Sequence, residues 1–248
     1  MPHYKTFIPI MPISKAQIKR LKALHQAKFR LSDRLFLVEG KKGVEEALAS
    51  DWEVQSVYST DENWVQTHTG AECITTLEMQ QISALNSPSE HLACIALKTF
   101  GRPDGKENVL YLDGIRDPGN LGTIIRTCDW FGINQIVCSL DTVDNYNPKV
   151  IQSAMGSILH VEVIYRSLPT FLSTVQDIPI YAAVLNGKSI HDIAIAKPSL
   201  LLIGNESNGI SKEVLSFATE KITIPKLGQA ESLNAAIASG IIISALLK

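Results

Sequence analysis

With 248 residues, 45% of them apolar, the chain has material for one large domain or two small ones, and nothing in its composition suggests disorder. The net charge of −2 hides a division: residues 1–50 carry ten Lys/Arg against four Asp/Glu (+6), and the other 198 carry 13 against 21 (−8). A basic N-terminal segment on a mildly acidic body points to an anionic partner held at one end, or to a solvated helix face.

Cys73, Cys94, Cys128 and Cys138 include no C-x-x-C pair, so they are expected to be small apolar residues in a reducing cytosol, with no metal site. The opening "MPHYKTFIPIMPISKAQ" is broken by prolines and lacks a signal-like apolar run. The apolar stretch 241–247 is too short to span a bilayer, so a soluble, cytoplasmic chain with no membrane partner is expected.

In chain order, residues 14–30 read as a helix with Ser14 as N-cap; Ile18, Leu21, Leu24 and His25 share one side. "RLFLVEG", "VQSVYST", "ECITT" and "HLACIAL" read as strands, with "KKGVEEALAS" and "LEMQQISAL" as helices, giving a small α/β unit over residues 1–100. "TFGRPDGKEN" (99–108) gathers Gly, Pro and charge and reads as a linker. A second α/β unit, 108–248, then opens on the strand "VLYLDGI". It continues with a helix over 121–132, the strand "QIVCSL", a helix over 147–157, the strand "HVEVIYR", and the helix "LPTFLSTVQ". "IYAAVL" and "SLLLIGN" are strands, "SKEVLSFA" a helix, "KITIPK" a short strand, and "SLNAAIASGIIISALL" the last helix. The strands at 109–112, 135–140, 180–185 and 200–203 are apolar on both faces, as in a parallel sheet covered by helices.

Open α/β sheets bind ligands at the carboxyl ends of their strands, which directs attention to three polar segments. "DGIRDPGNLGTIIRTCDWFG" (113–132) has glycines at 114, 119 and 122 but neither G-x-G-x-x-G nor a G-x-x-x-x-G-K-[ST] loop, which disfavours a nicotinamide- or flavin-dependent oxidoreductase. In its helix Ile124, Cys128 and Phe131 form an apolar stripe. Arg126 lies roughly 200° from Ile124 around the axis, so it faces away from that stripe, toward a partner or into a surface ion pair. Asn120 stands where an N-cap would. In "LLLIGNESNGIS" an apolar strand runs into Gly204 and Glu206, either a ligand-facing loop or a plain β–α turn. In "ITIPKLGQAESLNAAIASGIIISALL", Ser232 and Asn234 open a helix rich in small residues, suited to close backbone packing or to a subunit contact.

In order and spacing these segments resemble the three motifs of the SpoU (TrmH-like) family of RNA ribose 2′-O-methyltransferases, of the SPOUT class. "NLGTIIRTCDWFG" is similar to N-x-G-x-x-x-R-x-x-x-x-F-G, "LLLIGNESNGIS" to a strand followed by G-x-E-x-x-G, and "IPKLGQAESLN" to I-P-x-x-G-x-x-x-S-L-N. The resemblance covers about residues 108–248. "FLVEGKKGVEEAL" more loosely resembles the small RNA-binding α/β domain often fused ahead of it. Ser207 stands where the family often has Gly, and Lys226 where it often has Met; both bear on pocket shape and target choice.

The resemblance implies an α/β fold whose C-terminal segment threads into a trefoil knot, which connection rules alone would not suggest. It implies S-adenosylmethionine bound by loops around Leu185, Gly204, Ile224 and Leu233, and a homodimer through the catalytic domain with the site at or near the interface. It implies methyl transfer to a ribose 2′-hydroxyl of structured RNA, with ribosomal RNA favoured over transfer RNA; the alternative is a non-catalytic RNA-binding or ribosome-assembly factor on the same fold. Arg126 would activate the hydroxyl. A guanidinium keeps its proton to above pH ~12 and so is an unusual base; an equally physical role is to stabilise the developing alkoxide and clamp a phosphate. Asn120 and Asn234 would orient Arg126 or the ribose, Glu206 would hold them by charge-assisted hydrogen bonds, and Ser232 would complete that network. Lys15, Lys19, Lys22, Lys28, Arg30, Arg34, Lys41 and Lys42 would contact RNA phosphates.

Overall fold

The computed structural model describes residues 12–101, 105–175 and 178–246. The opening segment read as lacking a signal sequence and part of the expected linker therefore lie largely outside the described residues. The chain divides into two compact units, one of residues up to Lys98 with Tyr146–Pro148, the other of Thr99–Asn145 and Lys149 onward.

In the N-terminal unit, α1 (Lys15–Ala23) and α2 (Ala27–Asp33) precede β1 (Leu35–Glu39), α3 (Lys41–Ala49), β2 (Val54–Ser59), α4 (Glu62–Thr67), β3 (Ala71–Cys73), α5 (Thr76–Ile82) and β4 (His91–Ala96). The sheet order is β1-β4-β2-β3, with β4 antiparallel to both neighbours and β2 parallel to β3. Ser14 caps α1 in a capping box, its hydroxyl accepting from the Gln17 amide while the Gln17 side chain accepts from the Ser14 amide. Leu21 and Leu24 pack with Met79 and Ile82 of α5 over Leu35, Leu37, Leu92 and Cys94 of the sheet.

The single helix expected over 14–30 is two. Gln26 adopts an extended conformation between them, and the Leu24 carbonyl accepts a 2.7 Å hydrogen bond from the Arg30 guanidinium. Apolar periodicity runs through this corner because Leu21 and Leu24 on one side of the break and Phe29 on the other all turn inward at least in part.

The second unit runs β5 (Val109–Asp113), α6 (Pro118–Trp130), β6 (Gln135–Cys138), α7 (Pro148–Ala154), β7 (Glu162–Tyr165), α8 (Leu168–Leu172), β8 (Ile180–Ser189), β9 (Leu200–Gly204), α9 (Lys212–Leu215), β10 (Glu220–Thr223) and α10 (Ala235–Leu246). The helix expected over 147–157 ends at Ala154; Met155 (φ 49°) and Gly156 (φ 95°) are left-handed, and a short 3-10 turn, Ser157–Leu159, follows. All six strands are parallel, in the order β10-β8-β9-β5-β6-β7. Val109, Tyr111, Val137, Ala182, Leu200 and Leu202 are buried with Leu168 and Phe171 of α8, as strands covered on both faces require. β8 runs four residues past the expected "IYAAVL", because Lys188 and Ser189 pair with Ile222 and Thr223 of β10 after a register shift. Gly187 permits the approach: a Cβ there would lie 2.6 Å from the Lys221 carbonyl oxygen.

β5 has β6 on one side and β9 on the other, so the winding direction reverses at β5. Such a switch point opens a crevice at the carboxyl ends of the strands, between the loops that follow β5 and β9.

Candidate active site

Those two loops carry the first two polar segments. β5 ends at Asp113, in register with Gly204 of β9. Beyond Gly204 the chain folds back on itself: a Cβ there would lie 2.2 Å from both the Gly209 carbonyl carbon and the Ile210 nitrogen, so only glycine fits. The reversal is closed by paired backbone bonds between Asn205 and Gly209 and presents Glu206 beside the start of α6.

The expected cap of α6 shifts by one turn. Asp117, not Asn120, is the N-cap: its carboxylate accepts from the Asn120 amide at 2.9 Å, and Pro118 takes the first helical position. The Asn120 side chain is thereby released. Its Nδ2 donates to Glu206 Oε1, and its Oδ1 accepts from Asn234 Nδ2 at 2.9 Å. Asn234 in turn takes the amides of Ala236 and Ile237 on its Oδ1, capping α10. Three segments separated by 86 and 114 residues in sequence thus meet through Asn120. Ser232 is exposed and makes no hydrogen bond among the described residues, so it stands outside this trio.

Arg126 is exposed on α6, about 9 Å along the axis from Asn120 at 1.5 Å per residue. Its Nη1 contacts Met155 Sδ at 2.7 Å. Met155 reaches it because α6 and α7 cross closely at Gly122, where a Cβ would lie 2.5 Å from Ser153 Cβ and 2.6 Å from the Val150 carbonyl oxygen. Among the described residues no carboxylate pairs with Arg126, so the surface ion pair that such an arginine ordinarily makes is absent.

Of the residues expected around a methyl donor, Gly204 forms the turn just described and Ile224 is half-buried. Leu185 and Leu233 are 70% and 44% exposed, and Leu227 of the same loop is 99% exposed. The Thr223 hydroxyl, at the end of β10, ties that strand to β8 by donating to the Leu185 carbonyl oxygen at 3.1 Å. These three leucines leave apolar surface exposed on the segments that follow and include the ends of β8 and β10. Below the site, burial pushes the Tyr111 phenol up to about 12 and the Cys128 and Cys138 thiols further still. None of these three is an acid–base group at neutral pH.

In the N-terminal unit Lys15, Lys19 and Lys22 lie at i, i+4, i+7 on the solvent face of α1, and Lys28, Lys41 and Lys42 are also exposed. Arg30 corrects its expected role. It is 3% exposed and holds the Leu24 carbonyl, so it fixes the α1–α2 corner and is not available to a phosphate. Arg34 is exposed but donates to the Leu97 carbonyl oxygen at 3.0 Å. Sequence reasoning missed Asp117, Met155 and Asn205. "D-P-G-N" carried an N-cap signal for Asp117, with proline next to it; nothing in the sequence announces the Met155 contact.

A two-unit α/β protein with a parallel sheet and a polar cluster at its switch point is the class defined so far. Family comparison gives it a name. Residues 107–244 match the SpoU rRNA Methylase family, and residues 15–93 match the MRM3-like substrate binding domain. The chain belongs to the SpoU rRNA methylase family. It is 34% identical over 244 residues to the 23S rRNA (guanosine(2553)-2′-O)-methyltransferase RlmP of Bacillus subtilis (strain 168), covering 92% of this chain and 94% of that one. Among solved structures it resembles a putative RNA methyltransferase of the TrmH family from Porphyromonas gingivalis, with a TM-score of 0.85, 33% identity, and coverage of 94% of this chain and 98% of the other. It also resembles an AdoMet-bound rRNA methyltransferase from Sinorhizobium meliloti, with a TM-score of 0.84, 28% identity, and coverage of 95% and 97%.

Proposed function

We propose that this protein transfers a methyl group from S-adenosylmethionine to a ribose 2′-hydroxyl of ribosomal RNA. The observation that carries the reading is the junction of Asn120, Glu206 and Asn234 from three distant segments, with Asn120 on the helix that also bears Arg126, which has no carboxylate partner among the described residues. The donor supplies a methyl group activated by attachment to a sulfonium sulfur. Leu185, Leu233 and Leu227 would pack on its adenine, with backbone groups near Gly204 and Ile224 meeting the base edge; their exposure and the tie between β8 and β10 fit that role.

A ribose hydroxyl is a weak nucleophile at neutral pH and must lose its proton as it attacks. The Arg126 guanidinium stabilises the oxygen as its proton passes to a phosphate oxygen of the RNA or to solvent and the carbon–sulfur bond of the donor breaks, leaving S-adenosylhomocysteine. No carboxylate among the described residues neutralises the guanidinium charge, which leaves it able to clamp a neighbouring phosphate. Met155 holds the guanidinium by a soft contact that leaves donors for the substrate. Glu206 fixes the rotamer of Asn120, and Asn120 and Asn234 orient the ribose. Ser232 is read as a substrate contact, in keeping with its exposure.

The N-terminal unit would bind RNA through the face bearing Lys15, Lys19 and Lys22, extended by Lys28, Lys41 and Lys42; the 2′-hydroxyl makes RNA, not DNA, the substrate. The close passage of β8 past β10 at Gly187 suits the trefoil knot that the family resemblance implies. A homodimer is inferred from α6 and α10, where Gly240 lies against Thr127 and Trp130, Ile237 and Ile241 are exposed, an apolar face suited to a second copy. Four buried free cysteines suit a cytoplasmic site of action.

The test is binding of S-adenosylmethionine by calorimetry, together with transfer of labelled methyl to ribosomal RNA from a strain lacking the gene. Donor binding with incorporation that depends on Arg126 is expected. RNA binding without donor binding would instead identify a non-catalytic RNA-binding factor.

A further inference from the structure

The Asn205 side chain bonds both its own turn and the loop after β5, yet the reaction outlined above assigns it nothing. Its side chain works in two directions. Oδ1 accepts from the amides of Ser207 at 2.9 Å and Asn208 at 3.3 Å, which fixes the turn that carries Glu206. Nδ2 donates to the Gly114 carbonyl oxygen at 2.7 Å, bridging 91 residues to the loop after β5.

Gly114 is itself a fixed point. It is left-handed (φ 69°), and its amide donates to Ser139 Oγ at 2.8 Å. Ser139 donates to Asp141 at 2.7 Å and meets Thr142 at 3.1 Å, tying in the loop after β6. Asp113 adds a parallel tie by accepting from the Ser211 amide at 2.7 Å. A second, independent link therefore runs between the two loops beside the Asn120–Glu206 bond, and it is anchored on backbone.

Taking the reading of the site above as its basis, we propose that Asn205 is a positioning residue for methyl transfer. By clamping the Glu206 turn to Gly114, it sets where the Glu206 carboxylate stands relative to Asn120, and so sets the geometry in which Asn120 and Asn234 present the ribose. Backbone pairing between Asn205 and Gly209 keeps the turn closed without the side chain. What the side chain adds is the placement of that closed turn against the loop after β5.

The test is a double-mutant cycle. Asn205→Asp keeps the acceptor for the Ser207 and Asn208 amides but turns an oxygen toward the Gly114 carbonyl. Asn205→Ser keeps a hydroxyl near the turn but cannot reach Gly114. Each is measured alone and with Glu206→Gln, by single-turnover methyl transfer at saturating S-adenosylmethionine to ribosomal RNA from the deletion strain, with thermal unfolding alongside. Losing this partly buried bond, with the Gly114 carbonyl left without its amide partner, should slow transfer about 30-fold in either single variant, with the unfolding midpoint within about 4 °C of the parent. In the Glu206→Gln background the additional loss should fall below about threefold, because Asn205 acts through Glu206.

Full activity in either folded variant, or losses that multiply across the two positions, would overturn the proposal; Asn205→Ser serves if Asn205→Asp does not fold. An inactive parent that binds no donor would instead defeat the reading of the site itself and take this inference with it, whereas an active parent with unaffected variants defeats this inference alone.

Discussion

Replacing Asn120 by aspartate gives a sharp prediction about the candidate site. The change is nearly isosteric and leaves an oxygen to accept from Asn234, but it replaces the Nδ2 donor to Glu206 with a second oxygen. Loss of a hydrogen bond to a charged group costs about 2 kcal/mol. Two carboxylates about 4 Å apart at an effective dielectric of about 20 repel by a further ~4 kcal/mol. Both residues are half-buried, so solvent relieves only part of this. A proton relieves most of the rest, because the introduced side chain, once protonated, can donate to Glu206 as the amide did. The variant should therefore be impaired most at high pH and recover as pH falls, by up to about tenfold per unit while proton uptake is limiting. The assay is single-turnover transfer to ribosomal RNA between about pH 6 and 8.5, expressed as the ratio of variant to parent so that ionisation of the substrate hydroxyl cancels. A ratio of about 0.01 or less is expected at about pH 8, rising at least about tenfold by about pH 6. A ratio that is flat with pH, or close to one throughout, would refute the role given to the Asn120–Glu206 bond.

Further outcomes follow from other parts of the structure. Lys19→Glu with Lys22→Glu should weaken RNA binding and flatten its salt dependence while leaving donor affinity intact; unchanged RNA affinity by filter binding would remove the α1 face from the interface. Arg30→Ala should instead lower stability by about 2 kcal/mol in denaturant unfolding, because it strips the bond to Leu24 at a buried corner. Gly204→Ala should cost about 3 kcal/mol and much of the activity, since its Cβ would overlap backbone at 2.2 Å; a normal melting curve would refute the close passage. His91 is buried against Ser59, and burial lowers its pKa below 6.5, with Glu90 and Asp61 only partly opposing. The folded protein then resists a proton that the unfolded chain takes up near pH 6.5, so stability is lost as pH falls below that value, by at most about 1.4 kcal/mol per unit. Tryptophan-monitored unfolding from about pH 7.5 to about pH 5.5 should show this slope reduced in His91→Gln.

Much of the fold was legible because the second unit announces itself: Val109–Leu112 and Leu200–Ile203 are apolar on both faces, and alternation with helices leaves little choice but a parallel sheet. The elements that escaped did so for physical reasons. The helix Glu62–Thr67 buries only Trp64 and Val65, too few residues to set a period. The corner between α1 and α2 is held by a side-chain bond from Arg30 to Leu24, and the charge of Arg30 advertised a surface role. At the site, the order of Asn120, Arg126, Glu206, Ser232 and Asn234 was readable as motif. What was not readable was which polar groups spend themselves on one another. That Asn205 spans to Gly114 and that Arg126 meets Met155 are consequences of packing between segments 91 and 29 residues apart, whereas the Asp117 cap that frees Asn120 is local and was signalled by Asp117 standing before Pro118.

The most direct measurement of the central proposal is a map of ribose 2′-O-methylation across all cellular RNAs in the source organism, comparing the parent, a strain lacking this gene, and the deletion strain complemented with the parent chain or with Arg126→Ala. The expected result is the loss of methylation at a ribosomal RNA position in the deletion strain, restored by the parent chain and not by Arg126→Ala. Identical maps in parent and deletion strains, or full restoration by Arg126→Ala, would contradict it.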